Sequence, residues 1–226
     1  MASLLPHPER DVPAAPPGPL GRKQASRNGH FVWVAQHIED YVSAAHCAKL
    51  VEQATAAIKT ATAGKRAAVA WSGGKDSIAL LEVCRLAGLE RCCFGMTNLE
   101  YPAFLAWVTE HMPAELEVVC TGQDLKWLAT HPEMLFPQDS ATAAKWFQQV
   151  QHAAQEFYYQ KHDLDVLVLG RRRADGNFVG RAGSNVYRSR GVTRYSPLAD
   201  WTHEEVIGVC HYAELACPPI YGWSTA

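Results

Sequence analysis

Residues 67–77, AAVAWSGGKDS, constrain this chain more than any other stretch. A short apolar run meets two glycines, and Ile78, Leu80, Leu81, Val83 and Leu86 then recur at helical spacing. Strand, tight turn and helix N-terminus come in immediate succession. That arrangement turns backbone N–H groups and the positive end of a helix dipole toward an anion, most simply a phosphate. Gly73 and Gly74 permit close backbone approach and positive φ. The N–H groups of residues 73–77 and the hydroxyls of Ser72 and Ser77 are expected to bind phosphate, with Lys75 as a point charge. Asp76 would repel phosphate unless it served a cation, so it is assigned to Mg²⁺, directly or through water.

The rest of the chain supplies an α/β pattern. Strands are expected at 67–71, 91–96, 116–120, 165–169 and 192–195, and helices at 75–87, 104–112, 143–162 and 202–213. Helical spacing also covers 31–63, ended by Gly64. The helix over 143–162 is expected to turn Trp146, Phe147, Val150, Ala154, Phe157 and Tyr158 inward. Thr202 with Glu205 forms a capping-box signature. Residues 170–190 read as a long polar loop. Strand–helix alternation predicts an open, mostly parallel five-stranded sheet with helices on both faces and ligands at the C-terminal strand ends. Residues 1–30, rich in proline, are expected to be an extended arm, leaving 31–226 as a single domain.

Charge and cysteine usage narrow the function classes. A formal net charge of −2 argues against a generally cationic nucleic-acid coat protein. The seven cysteines contain no CxxC pair and read as reduced thiols used as small apolar residues, consistent with a cytoplasmic protein. No signal-peptide pattern and no apolar run approaching the ~20 residues of a membrane span occur.

A second cluster begins where the fourth strand ends. Gly170 is followed by Arg171, Arg172 and Arg173, and seven arginines fall between 171 and 194. Such a run is usually a solvated face, but this one starts at the end of an apolar strand, where a parallel sheet places its ligand. It runs on into Pro197-Leu198-Ala199-Asp200-Trp201-Thr202.

The glycine turn fits neither GxxxxGK[ST] nor GxGxxG. SGGKDS after a strand instead resembles the signature of the PP-loop ATP pyrophosphatases (the HUP-type, adenine nucleotide alpha hydrolase-like superfamily). Gly-x-Arg after a strand, then PLADWT and a helix, resembles the phosphoadenosine phosphosulfate reductase branch. The resemblance covers roughly residues 50–222. It implies ATP and Mg²⁺ as cofactors, cleavage between the α- and β-phosphates, release of pyrophosphate and transfer of AMP to an acceptor. It implies Lys75, Asp76 and Arg171 as catalytic residues, and Ser72, Gly73, Gly74, Lys75, Asp76, Ser77, Gly170, Arg171 and Arg172 as nucleotide contacts. Met96 and Asn98, at the end of the second strand, are the candidates beside adenine.

The reductases' C-terminal cysteine motif is absent, since the chain ends CPPIYGWSTA. An ATP-cleaving enzyme is therefore expected over a sulfonucleotide reductase. A flavin-adenylating nucleotidyltransferase, a reductase or sulfurtransferase relative, and a non-catalytic nucleotide-binding component of an assembly remain the alternatives. The basic loop suits an anionic acceptor, a nucleotide or nucleic acid, and the arm suits a homo-oligomer or larger assembly.

Overall fold

The computed structural model describes residues 28–135, 139–181 and 183–218. The proline-rich segment 1–27 lies outside the described residues, as does the end of the chain from 219. Five strands run parallel: β1 (Ala67–Ala70), β2 (Cys92–Met96), β3 (Leu116–Cys120), β4 (Val166–Leu169) and β6 (Val192–Tyr195). A sixth, β5 (Val186–Ser189), pairs antiparallel with β6. The order is β3-β2-β1-β4-β6-β5.

The expected sheet thus gains a strand within the segment read as loop. Arg190 and Gly191 both take positive φ (48° and 88°) and join β5 to β6, as a two-residue hairpin with matching twist requires. Val186, Tyr187, Arg188 and Ser189 carry no apolar alternation because β5 is a half-exposed edge strand.

Side-chain alternation divides the core into two layers. Ala67, Val69, Cys92, Phe94, Val166 and Val168 face one layer; Ala68, Cys93, Leu167 and Leu169 face the other. The first is covered by α2 (Ala44–Thr62), α3 (Lys75–Leu86), α4 (Pro102–His111) and α8 (His203–Tyr212). The second is covered by α7 (Ala153–Lys161) through Ala154, Tyr158 and Tyr159. Cys92 and Cys93 point to opposite layers, and burial pushes each thiol up to about 12. All seven cysteines are free.

Two helical expectations change in detail. The run over 31–63 is two helices, α1 (Asn28–Gln36) and α2, because Ser43 caps α2 by accepting the His46 N–H at 3.2 Å. The long helix over 143–162 is α6 (Ser140–Phe147), a π-helical turn (Gln148–His152) and α7. A π-turn changes the angular register of the helix beyond it. Val150, Ala154 and Tyr158 are buried as expected, but Phe147 and Phe157 are exposed and Tyr159 is buried instead. Ala154 lies close to Gly95 of β2, where an added Cβ would stand 2.7 Å from the Ala154 Cβ. The last helix matches its sequence signature: Thr202 accepts from Glu205 N–H, and the Glu205 carboxylate accepts from Thr202 N–H at 2.7 Å. A short helix, α5 (Leu125–Thr130), follows β3.

Candidate nucleotide site

The chain leaves β1 for β2 on one side and later returns to β4 on the other, so the C-terminal ends of β1 and β4 form the topological switch point. Both sequence-predicted clusters meet there. Gly170, just past β4, packs so closely that an added Cβ would lie 3.1 Å from the carbonyl carbon and oxygen of Asp76 and 3.3 Å from Ser77 N. Glycine is required here by close approach, not by positive φ.

The turn itself is a self-contained clasp. Ser77 Oγ donates to Gly74 O at 2.8 Å and accepts from Ser72 N–H at 3.0 Å, while Ser72 Oγ lies 3.2 Å from it. Only Gly73 takes positive φ, 70°; Gly74 is extended (φ −80°, ψ 153°) and N-caps α3. Gly73 rests on an aromatic bed, with Phe104 2.9 Å and Trp107 3.4 Å from where a Cβ would be. Trp71, Phe94, Phe104 and Trp107 of that bed stack or meet edge-on at 5.7–6.3 Å.

Beneath the turn lies a charge cluster absent from the sequence-based picture. Lys75 is buried and donates to Asp76 Oδ2 at 2.7 Å. Arg172 is fully buried; its Nε approaches Asp76 Oδ1 to 2.6 Å as a charge pair, off the hydrogen-bond axis. Its other nitrogens donate to Trp201 O (3.2 Å), Asp175 Oδ1 (3.0 Å) and His203 Nδ1 (3.1 Å). Burial first, then Arg172 and Lys75, lower the His203 pKa, which keeps the ring neutral and able to accept.

These pairings revise two expectations. Arg172 does not reach the ligand edge; it braces the turn from below. Asp76 does not fit a direct Mg²⁺ ligand, because each of its oxygens already faces a cation. Among the described residues no cluster of three His, Cys, Asp or Glu side chains has metal-binding geometry.

Above the turn two clefts open side by side. The larger, about 570 Å³, is lined by Ser72, Gly74, Asp76, Ser77, Gly170 and Arg171 on one wall. The opposite wall comes from α6, the π-turn and α7: Phe147, Gln148, Gln151, His152 and Gln155. Arg171 donates to His152 Nε2 at 2.8 Å and to Tyr187 Oη at 3.1 Å. Burial, then the Arg171, Arg194 and Arg190 charges, lower the His152 pKa, so His152 accepts from Arg171 as a neutral ring. Arg171 is thus the one member of the arginine triplet that lines this cleft. Arg173 pairs with Asp200, and Arg190 with Glu156.

The smaller cleft, about 240 Å³, shares Ala70, Ser72, Gln151 and Gln155 with the larger. Trp71, Phe94, Phe104 and Trp146 give it aromatic walls, and Thr97 and Glu100 a polar edge. Met96 and Asn98 line neither cleft. Met96 packs toward the core, and Asn98 Oδ1 accepts from the exposed Cys120 thiol at 3.4 Å. Thr97 and Glu100 line the smaller cleft where Met96 and Asn98 were expected.

Cys210 and Cys217, read from sequence as small apolar thiols, lie close under the turn: Cys210 Sγ donates to Lys75 O at 3.7 Å, and Cys217 is hydrogen-bonded to Cys210. That bond, helped by Lys75, lowers the Cys217 pKa. No helix among the described residues is long and apolar enough to cross a membrane.

Known proteins carry the same architecture. Phosphoadenylyl-sulfate (PAPS) reductase from Candida auris superposes with a TM-score of 0.59 at 13% identity, covering 81% of this chain and 94% of that one. FMN adenylyltransferase from Candida glabrata gives 0.54 at 14% identity, over 86% of this chain and 69% of that one. At these identities the likeness is one of fold. No curated protein matches the sequence. Residues 66–223, however, match the phosphoadenosine phosphosulfate reductase domain over most of the chain, from the strand before the turn to beyond α8. Turn, arginine loop and capped last helix all fall within that match, and the chain belongs to the phosphoadenosine phosphosulfate reductase domain family of the PP-loop superfamily.

Proposed function

We propose that this protein binds ATP across the C-terminal edge of its sheet, cleaves it between the α- and β-phosphates and passes AMP to an acceptor. The carrying observation is the pair of connected clefts meeting at Ser72: an aromatic one sized for a base and a polar one bounded by the glycine turn, Gly170 and Arg171. In this reading the base lies among Trp71, Phe104 and Trp146. The triphosphate runs over the N-terminus of α3, whose dipole favours an anion. Arg171, oriented by His152 and Tyr187, supplies the positive charge on the cleft wall, and Lys75 acts from below. Bond cleavage is then a matter of alignment and charge stabilisation. The remaining length of the larger cleft, along Phe147 and Gln148, is left for the acceptor. The Candida glabrata adenylyltransferase, solved with FAD and inorganic pyrophosphate, is a fold neighbour whose ligands match this chemistry.

Labelled ATP decides the reading. Pyrophosphate as product, and ATP–pyrophosphate exchange lost on Arg171→Ala, support it. ADP with inorganic phosphate as product refutes α,β cleavage.

A further inference from the structure

Cys210 and Cys217 are drawn together by the way α8 ends. Ala213 is the C-cap residue, and Glu214 after it takes a left-handed φ of 53°. Leu215 N–H donates to Cys210 O at 2.8 Å and Glu214 N–H to His211 O at 3.1 Å. This pair of bonds is the Schellman reversal, which turns the chain back along the last turn of its helix. Leu215 and Cys217 then pack against the first core layer, and Cys217 meets the Cys210 thiol in a hydrogen bond. The Cys210 thiol also faces Lys75 O, so its single proton has two acceptors: the Cys217 sulfur and the carbonyl of the first residue of α3. Cys84, Cys92 and Cys93 are buried, and burial keeps them protonated. Cys217 is only partly buried, and the Cys210 hydrogen bond, then the Lys75 charge, favour its thiolate against that burial. Access and thiolate character together make a thiol reactive. Cys120 is exposed too, but its partner is Asn98 rather than a thiol.

We propose that Cys217 is a site of oxidation by hydroperoxides, that Cys210 closes a disulfide on it, and that this closure loosens the phosphate turn by taking away the thiol that Lys75 O holds. The Cys217 thiolate attacks the outer peroxide oxygen. An S–O bond forms, the O–O bond breaks, and the departing hydroxide or alkoxide takes a proton from water. The sulfur, now a sulfenic acid, is oxidised by two electrons and the peroxide is reduced by two. The Cys210 sulfur then attacks the Cys217 sulfur. An S–S bond forms, the S–O bond breaks, and the hydroxyl leaves as water with the Cys210 proton. A dithiol reverses the change by exchange. In the disulfide Cys210 has no proton left to give Lys75 O, so the start of α3 loses a contact to α8.

The full chain, reduced and then exposed to hydrogen peroxide, tests this. Neither Lys nor Arg follows Arg194, so both cysteines fall in one tryptic peptide. Mass spectrometry should find that peptide short of two hydrogens, with Cys84, Cys92 and Cys93 still open to alkylation after unfolding. Cys210→Ser should stop the reaction at the Cys217 sulfenic acid, trapped by a cyclic 1,3-diketone, and Cys217→Ser should leave Cys210 reduced at the same dose. Amide hydrogen exchange over residues 72–79 should quicken about fivefold in the oxidised wild-type protein, the scale of one weak hydrogen bond, and stay unchanged in peroxide-treated Cys217→Ser. Pyrophosphate affinity should fall by a similar factor; this arm alone rests on the phosphate reading above. A reduced protein that binds no pyrophosphate refutes that reading, while the mass and exchange measurements still decide the thiol pair. A disulfide formed elsewhere, or Cys217 oxidised no faster than Cys120, overturns the pair. A Cys210–Cys217 disulfide with unchanged exchange over 72–79 overturns its link to the turn.

Discussion

Replacing Arg172 with methionine separates a brace from a ligand contact. Arg172 is fully buried and touches Asp76, Asp175, His203 and the Trp201 carbonyl. Met fills similar volume but leaves the cleft-side carboxylates short of a cation. Removing one partner of a buried ion pair costs about 3–5 kcal/mol. The side chains of Asp76 and Asp175 are 24% and 28% exposed, so water relieves part of this. Asp76 also retains Lys75. We therefore expect the lower end, roughly 3 kcal/mol, or a melting temperature lowered by ~6–12 °C in a chain this size. Urea titration with and without pyrophosphate measures it. Arg172→Met combined with Asp76→Asn should recover part of the loss, because the orphaned charge is gone. A variant of unchanged midpoint and weakened pyrophosphate affinity would refute the brace and return Arg172 to the ligand.

The same contacts set other outcomes. Gly170→Ala forces a Cβ against the Asp76 and Ser77 backbone, which has no flexible end to yield; pyrophosphate affinity should fall by about tenfold with about 1–3 kcal/mol of stability, measured by calorimetry and urea titration. Thr202→Ala removes the cap of α8 and should cost about 1 kcal/mol in urea unfolding. His152 and His203 both have lowered folded-state pKa values, so below about pH 6.5 the unfolded chain binds more protons than the folded one. Their contribution is fully present above that pH and is lost as pH falls toward the folded values; His152→Gln should flatten part of the pH dependence of the urea midpoint.

The strand–turn–helix was legible because an apolar run, two glycines and a helical period are all local signals. The register of Cys92 and Cys93 was legible too, since side chains in a strand alternate whatever lies around them. β5 was not, because an edge strand with a half-exposed face needs no apolar alternation, and only Gly191 marked its turn. The π-turn was invisible for a different reason. A π-turn leaves composition unchanged but shifts the register of the helix beyond it, so that Phe157 is exposed and Tyr159 buried. In the site, residue types pointed to the right edge of the sheet, while the choice between neighbours failed. Arg171 and Arg172 are identical in type, but the chain past β4 sends one into the cleft and the other under the turn.

Asp76 shows why that choice governs the chemistry. An acid beside a phosphate loop is repulsive on sequence grounds alone, and a metal ion is the simplest remedy. The structure supplies another. Lys75 and Arg172 carry two positive charges, Asp76 and Asp175 two negative ones, and His203 is held neutral, so the cluster under the turn is balanced. The attraction for an anion then comes from Arg171 and the N-terminus of α3, which borders the cleft through Gly74, Asp76 and Ser77 above that balanced base. Asp76→Ala would therefore remove the carboxylate that Lys75 and Arg172 share and lower stability together with phosphate binding, whereas Arg171→Ala should lower binding alone. Measured side by side, the two variants distinguish an acid that orders the turn from one that serves the ligand.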